Sequence, residues 1–113
     1  MSPGDLFWVE FPPGAGRAQA GRRPAIVVQT ADASAKLPTV LVVPLTSKQD
    51  ALRFPGTILI HPDAQNGLRH ASVALAFQVA AIDRRFLGSK LGSLSDTDFA
   101  KMWAAFDQIT RRT

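Results

Sequence analysis

The segment Thr39-Val40-Leu41-Val42-Val43-Pro44-Leu45 limits the possible folds of this chain more than any other stretch. It is nearly all apolar and rich in β-branched residues, which suit a pleated surface. It lacks the polar alternation of a strand with one wet face, so it reads as a strand buried on both sides. Other elements must then flank it. Leu6-Phe7-Trp8-Val9-Glu10-Phe11 reads as a first strand, stopped by Pro12-Pro13-Gly14-Ala15-Gly16, with a polar, Gly-rich loop running on to Arg22. Pro24-Ala25-Ile26-Val27-Val28 reads as a second, with proline at its start, where a missing N–H is tolerated. Thr57-Ile58-Leu59-Ile60 gives a fourth, and Ser72 to Ile82 one or two more. Asp32 to Pro38 is expected to be a turn region, Thr46 to Gly56 a polar loop and Asn66-Gly67 a turn. Arg84 to Leu87 suits a short helical turn, after which Gly88 and Gly92 are expected to break the chain again.

The pattern changes at Ser95. Ser95 with Asp98 resembles a capping box, although aspartate stands in place of the usual glutamate. Asp96 and Asp98 suit the positive end of a helix, and Arg111 and Arg112 its negative end. Phe99, Met102, Trp103, Phe106 and Ile109 recur at helical spacing and predict one apolar face. Short strands with one terminal helix make a mainly β chain with α, a small β-barrel plus helix. At 113 residues, a single domain over 1–113 is expected.

Composition narrows the function classes. Cysteine is absent, which excludes disulfides and thiolate metal sites. Met1-Ser2-Pro3-Gly4-Asp5 lacks the basic and apolar regions of a secretory signal. The apolar runs are strand-sized, well short of the roughly 20 residues of a membrane-spanning helix. A soluble, cytoplasmic protein with no membrane partner is the expectation. The net charge of +4 favours a polyanionic partner such as nucleic acid, an acidic protein fits the same sign, and a basic soluble protein with neither is the plainer account.

Several catalytic constellations are missing. The chain has no His-x-x-x-His pair, no P-loop and no Gly-x-Gly-x-x-Gly ahead of a helix. Asp96, Asp98 and Asp107 belong to the helix, and Asp5, Glu10 and Asp83 to strand edges or turns, so no acidic cluster invites a divalent cation. Neither metal nor cofactor is expected. His61 and His70 flank a turn; each suits a surface loop, and a paired-histidine acid–base mechanism is the sharper alternative.

Gln19-Ala20-Gly21-Arg22-Arg23-Pro24 puts two guanidinium groups where a Gly-rich loop meets a buried strand. Arginine, with a pKa above about 12, is a poor base. It does bind phosphate bidentately and can stabilise a phosphorane. Thr46-Ser47-Lys48 leaves the third strand with two hydroxyls and an ammonium. If the second and third strands are neighbours, the two groups share one cleft. Solvated charge and backbone-bonded turn hydroxyls are the plainer readings of each motif alone.

In order along the chain, Gly4-Asp5-Leu6-Phe7-Trp8-Val9-Glu10-Phe11, Gln19-Ala20-Gly21-Arg22-Arg23-Pro24-Ala25-Ile26-Val27-Val28, Val42-Val43-Pro44-Leu45-Thr46-Ser47 and Gly67-Leu68 with Ser72-Val73 and Gln78-Val79-Ala80-Ala81-Ile82-Asp83 resemble the MazF/PemK (Kid) toxin family. The resemblance implies an SH3-like barrel with a C-terminal helix, the CcdB/PemK-like fold, assembled as a homodimer. It further implies the toxin of a type II toxin–antitoxin system, a sequence-specific endoribonuclease that cuts single-stranded RNA, mainly mRNA, without a metal and arrests growth. The ribose 2′-OH attacks phosphorus, leaving 2′,3′-cyclic phosphate and 5′-OH ends. A cognate acidic antitoxin blocks the groove, and operator DNA is met only through the antitoxin complex. Arg23 matches the catalytic arginine and Thr46 the catalytic threonine. Arg17, Arg22, Ser47, Lys48 and Arg53 are expected to contact RNA phosphates, and Gln19 and Gln78 unstacked bases. Many members carry a glutamate immediately before the residue matching Gln19, where this chain has Ala18. That leaves the general base open, with His61 or His70 as possible substitutes. The alternatives are a CcdB-like toxin that binds gyrase, or an inactive homologue that binds RNA or antitoxin.

Overall fold

The computed structural model describes residues 1–12 and 21–110. Within them the order is β1 (Asp5–Phe11), β2 (Gly21–Val27), α1 (Ala31–Lys36), β3 (Thr39–Thr46), β4 (Thr57–Ile60), β5 (Ser72–Leu75), β6 (Ala80–Asp83), β7 (Leu87–Ser93) and α2 (Asp96–Thr110). The strand pairs are antiparallel and follow the path β4-β5-β3-β2-β1-β7, with β6 also on β3. β4 and β7 end the path, so the ladder stays open.

β3 is the hub. One edge pairs with β2, with Ala25 opposite Pro44, Ile26 opposite Val43 and Val27 opposite Val42. The other edge pairs with β6 from Thr39 to Val42 and with β5 at Leu45 and Thr46. Pro44 falls where β3 changes partner, which is where a central strand can best do without an N–H. Side chains alternate across the sheet. Ile26, Val43 and Leu45 therefore join Leu6, Ile60, Ala74, Leu94 and Met102 in one core, while Ala25, Val27, Val40 and Val42 join Val9, Phe11 and Ile82 in another. Each fully buried Leu, Ile or Val contributes about 1.5–3 kcal/mol. Both faces of β3 are buried from Val40 to Thr46 as its composition implies, except at Leu41, 41% exposed, which pairs with exposed Ala81.

α2 begins as its sequence predicts. The Ser95 hydroxyl accepts the Asp98 N–H at 3.1 Å, and the Ser95 carbonyl accepts that of Phe99 at 2.9 Å. The buried stripe is narrower than expected, however. Met102 and Ala105 are buried and Phe99 packs partly on the core, whereas Trp103 and Ile109 are more than a third exposed. Trp103 lies edge-on between Phe99 and Phe106, with ring centres 5.9 and 5.8 Å apart. Arg111 and Arg112 lie outside the described residues.

Two further expectations are corrected. The segment expected to turn at Asp32 to Pro38 holds the short helix α1, capped by the Thr30 hydroxyl, which accepts the Ala33 N–H at 3.2 Å. A helix this short has no apolar period to betray it. Gly88 and Gly92 do not break the chain; they lie within β7, which pairs with β1 through register shifts. Glycine in a strand marks a bulge or a close approach. At Gly92 a Cβ would overlap the Gln65 carbonyl.

Candidate active site

The register of β2 on β3, followed two residues beyond the Ala25–Pro44 pair, carries Arg23 across from Thr46 on the same face. Both side chains line a cleft of about 870 Å³. Thr46 is buried and ends β3; its hydroxyl accepts the Lys48 N–H at 3.2 Å, which holds the turn that exposes Ser47 on the rim. Arg23 is half-buried, and its Nε lacks a hydrogen-bond partner among the described residues. Arg22, exposed beside it, stacks its guanidinium 4.2 Å from the centre of the Trp8 ring on β1.

The opposite wall comes from the loop between β4 and β5. Fully buried Asn66 accepts N–H groups from Asp63 (3.2 Å) and Leu68 (3.0 Å) and donates from Nδ2 to the His61 carbonyl (3.0 Å). Gly67 follows at φ +71°, where a Cβ would overlap the Leu91 carbonyl of β7. The loop is thereby held against β7 and turns Arg69 and His70 into the cleft. The Ser72 hydroxyl donates to the His70 carbonyl at 3.0 Å.

Among the described residues, the ionisable side chains lining the cleft are Arg22, Arg23, Arg69 and His70, accompanied by the hydroxyls of Thr46, Ser47 and Ser72. Forked guanidinium donors beside hydroxyls suit a phosphate anion. Asp5 lies elsewhere: it is buried, accepts the Ser2 N–H at 2.8 Å and pairs with Lys90 at 3.5 Å. Among the described residues no group of three or more His, Asp or Glu side chains could hold a metal ion.

Thr46 also borders a second, smaller cleft of about 170 Å³, and there the structure places Lys48, Arg53 and Gln78. These three were expected to contact RNA, Lys48 and Arg53 through phosphates and Gln78 through a base; they line this second cleft with Thr46 and are not among the residues lining the cleft that holds Arg23. Phe54 and Phe77, both about two-fifths exposed, meet at 5.5 Å in this cleft, and Arg53 covers the Phe54 ring at 4.6 Å. The Gln78 Oε1 atom is buried without a hydrogen-bond partner among the described residues. Arg17, Ala18 and Gln19 lie outside those residues, and exposed His61 is not among the groups lining either cleft.

A profile of the PemK-like, MazF-like toxins of type II toxin–antitoxin systems matches residues 2–110. The chain belongs to this family. It has relatives in sequence and in shape. The endoribonuclease toxin MazF of Escherichia coli strain K12 is 36% identical over 86 residues, spanning 76% of this chain and 71% of that protein. Crystalline MazF from Deinococcus radiodurans superimposes with a TM-score of 0.83 at 26% identity, over 99% of this chain and 97% of that one. A MazE–MazF crystal structure from the same organism gives 0.75 at 25% identity, covering 100% and 97%.

For this PemK/MazF-like toxin, sequence reasoning missed Trp8, Arg69 and Ser72 as cleft residues and left His70 between a surface-loop residue and an acid–base group. One signal was available for Trp8, which shares the outward face of β1 with Glu10. The basic Arg69-His70 pair directly after the Asn66-Gly67 turn was another.

Proposed function

We propose that this toxin is a sequence-specific endoribonuclease that cuts single-stranded RNA, mainly mRNA, and so halts translation and growth. The observation that carries this reading is that Arg23 and Thr46 line one cleft, whose other ionisable groups among the described residues are Arg22, Arg69 and His70. Such a site suits a reaction whose nucleophile, the ribose 2′-OH, is supplied by the substrate. Arg23 clamps the scissile phosphate and stabilises its developing charge. Thr46 donates a hydrogen bond to a phosphate oxygen, with Ser47 beside it. The products are a 2′,3′-cyclic phosphate and a 5′-OH. Arg22 and Arg17 hold flanking phosphates, and Lys48 and Arg53 continue the track past Thr46. Gln78, at the aromatic pair, and Gln19 read splayed bases.

The partner is a cognate antitoxin; the Deinococcus MazE–MazF structure is of such a pair in name. The basic cleft suits an acidic segment that folds on binding. The toxin acts in the cytoplasm as a homodimer and meets operator DNA only within the antitoxin complex.

The test is cleavage of a long single-stranded RNA in excess EDTA by wild type, Arg23→Ala and Thr46→Ala. Discrete wild-type fragments ending in cyclic phosphate, lost in both variants, are expected. Intact RNA with wild-type protein would overturn the reading.

A further inference from the structure

We propose that Gln65 and Asn66 form a polar latch that positions Arg69 as a fixed phosphate contact in the cleft it lines with Arg22 and Arg23; the inference rests on the reading that this cleft binds RNA. Residues 61–71 join β4 to β5. A surface loop of that length is ordinarily mobile, and an arginine on it would be ordered only when a ligand binds, at a cost in affinity. Here the chain is tied down on both sides of Arg69. Before it, the Leu68 N–H donates to Asn66 Oδ1 at 3.0 Å, and the Leu68 side chain, 9% exposed, packs into the core with Leu6 and Met102. After it, the His70 carbonyl accepts the Ser72 hydroxyl at 3.0 Å.

The latch consists of two neutral amides. Asn66 is fully buried; its side chain accepts the Asp63 and Leu68 N–H groups and donates to the His61 carbonyl, while its own N–H donates to Asp63 Oδ1 at 2.7 Å. Gln65 reaches the end of β7. Its Nε2 donates to the Ser93 hydroxyl at 3.2 Å and to the Leu94 carbonyl at 3.0 Å, and its own carbonyl accepts the Ser93 N–H at 3.0 Å. Burying an amide costs free energy that an apolar side chain avoids, but a fully bonded amide selects one loop conformation. That conformation puts the Arg69 guanidinium at the cleft before any ligand arrives. Among the described residues no carboxylate pairs with Arg69, so its charge is available to an anion.

The charge supplies a diagnostic readout. Gln65 and Asn66 are neutral, so their loss changes the salt dependence of RNA binding only by moving a charged group.

The experiment measures affinity for a single-stranded 2′-O-methyl RNA, which lacks the nucleophile, over a range of salt, with kcat and KM on the natural RNA alongside. Wild type is compared with Gln65→Ala, Asn66→Ala, Arg69→Gln and the two double variants that join a latch change to Arg69→Gln. Val40→Ala, in the other core, serves as a destabilised control. Each latch variant and Arg69→Gln is expected to bind about two- to fivefold more weakly. The slope of log K against log salt should become shallower by about 0.7 in each, with KM raised and kcat nearly unchanged. The double variants should match Arg69→Gln alone, because the latch acts through that side chain. Val40→Ala should lower the melting temperature yet keep the wild-type slope. Gln65 is exposed, so its variant carries the test if Asn66→Ala does not fold. A wild-type slope in folded Gln65→Ala, or additive losses in the double variants, would overturn the proposal. Wild type that binds RNA without cutting it would remove the ribonuclease reading and leave the latch to be judged by the slopes; wild type that binds no RNA would remove both.

Discussion

The Arg22 guanidinium lies 4.2 Å from the centre of the Trp8 ring, joining β1 to β2 at the rim of the cleft. Trp8 pairs with Pro24 and Arg22 with Glu10, so the contact is a diagonal one across two neighbouring strands. The ring presents its negative face to the cation and limits where Arg22 can reach. Trp8→Ala should therefore weaken RNA binding more than it slows the chemistry. At about 0.5–1 kcal/mol for an exposed pair, KM is expected to rise about two- to fivefold with kcat nearly unchanged, as read from initial rates over a range of RNA concentrations.

Arg23→Lys keeps the charge and loses the planar fork. If Arg23 binds the scissile phosphate bidentately, kcat should drop about 10²–10³-fold, the usual cost of removing one oxyanion donor. Thr46→Val removes the hydroxyl with little change of shape and should cost a similar factor. Because Thr46 also accepts the Lys48 N–H, a modest loss of thermal stability should accompany it, visible by calorimetry. Thr46→Ser should recover most of the activity.

Gln78 lines the cleft that holds Phe54 and Phe77, and its Oε1 is buried with no hydrogen-bond partner among the described residues. Gln78→Leu fills similar space without the acceptor. Mapping the cut sites on a long RNA should then show relaxed choice at one base position next to the cut, with other positions unaffected. Since the substitution also removes an orphaned buried acceptor, the melting temperature should hold or rise slightly.

Gly67→Ala should be among the most damaging single changes in the loop. The residue would need a left-handed conformation, costing about 1–3 kcal/mol, and its new methyl would meet the Leu91 carbonyl. A melting temperature lowered by several degrees is expected, together with impaired cleavage, because the same loop carries Arg69 and His70.

RNA binding should weaken steeply with salt. If Arg22, Arg23 and Arg69 each neutralise one phosphate, log K against log salt should have a slope of about −2, near −0.7 for each contact with a single strand. Replacing Arg69 by glutamine should reduce the slope by about 0.7. A slope unchanged by that substitution would place Arg69 off the RNA path.

Strands were legible where burial wrote itself into composition. β4 lies where Thr57-Ile58-Leu59-Ile60 predicts, and β3 follows its apolar run to within a residue. β7 was hidden because Gly88, Ser89, Lys90 and Gly92 carry no apolar signal; its glycines serve close backbone contacts that exist only once the chain is folded. α1 was hidden by its length. Arg23 and Thr46 stood out through the family resemblance, whereas Lys48 and Arg53 were put in the same groove because sequence distance cannot say on which side of Thr46 a loop will run. The position of His70 depended on a turn fixed by Asn66 and Gly67 against β7, a contact between distant parts of the chain.

The partner change in β3 carries a consequence for timing. A strand that belongs to both ladders cannot detach by itself, so its amides should exchange hydrogen only when the whole molecule unfolds. Thr46 ends that strand, and Arg23 belongs to the strand paired with it. If Arg23 and Thr46 act on RNA as proposed, this pair needs no assembly when an inhibitor lets go. Onset of cleavage would then be set by how quickly the partner departs and not by any rearrangement of β2 and β3.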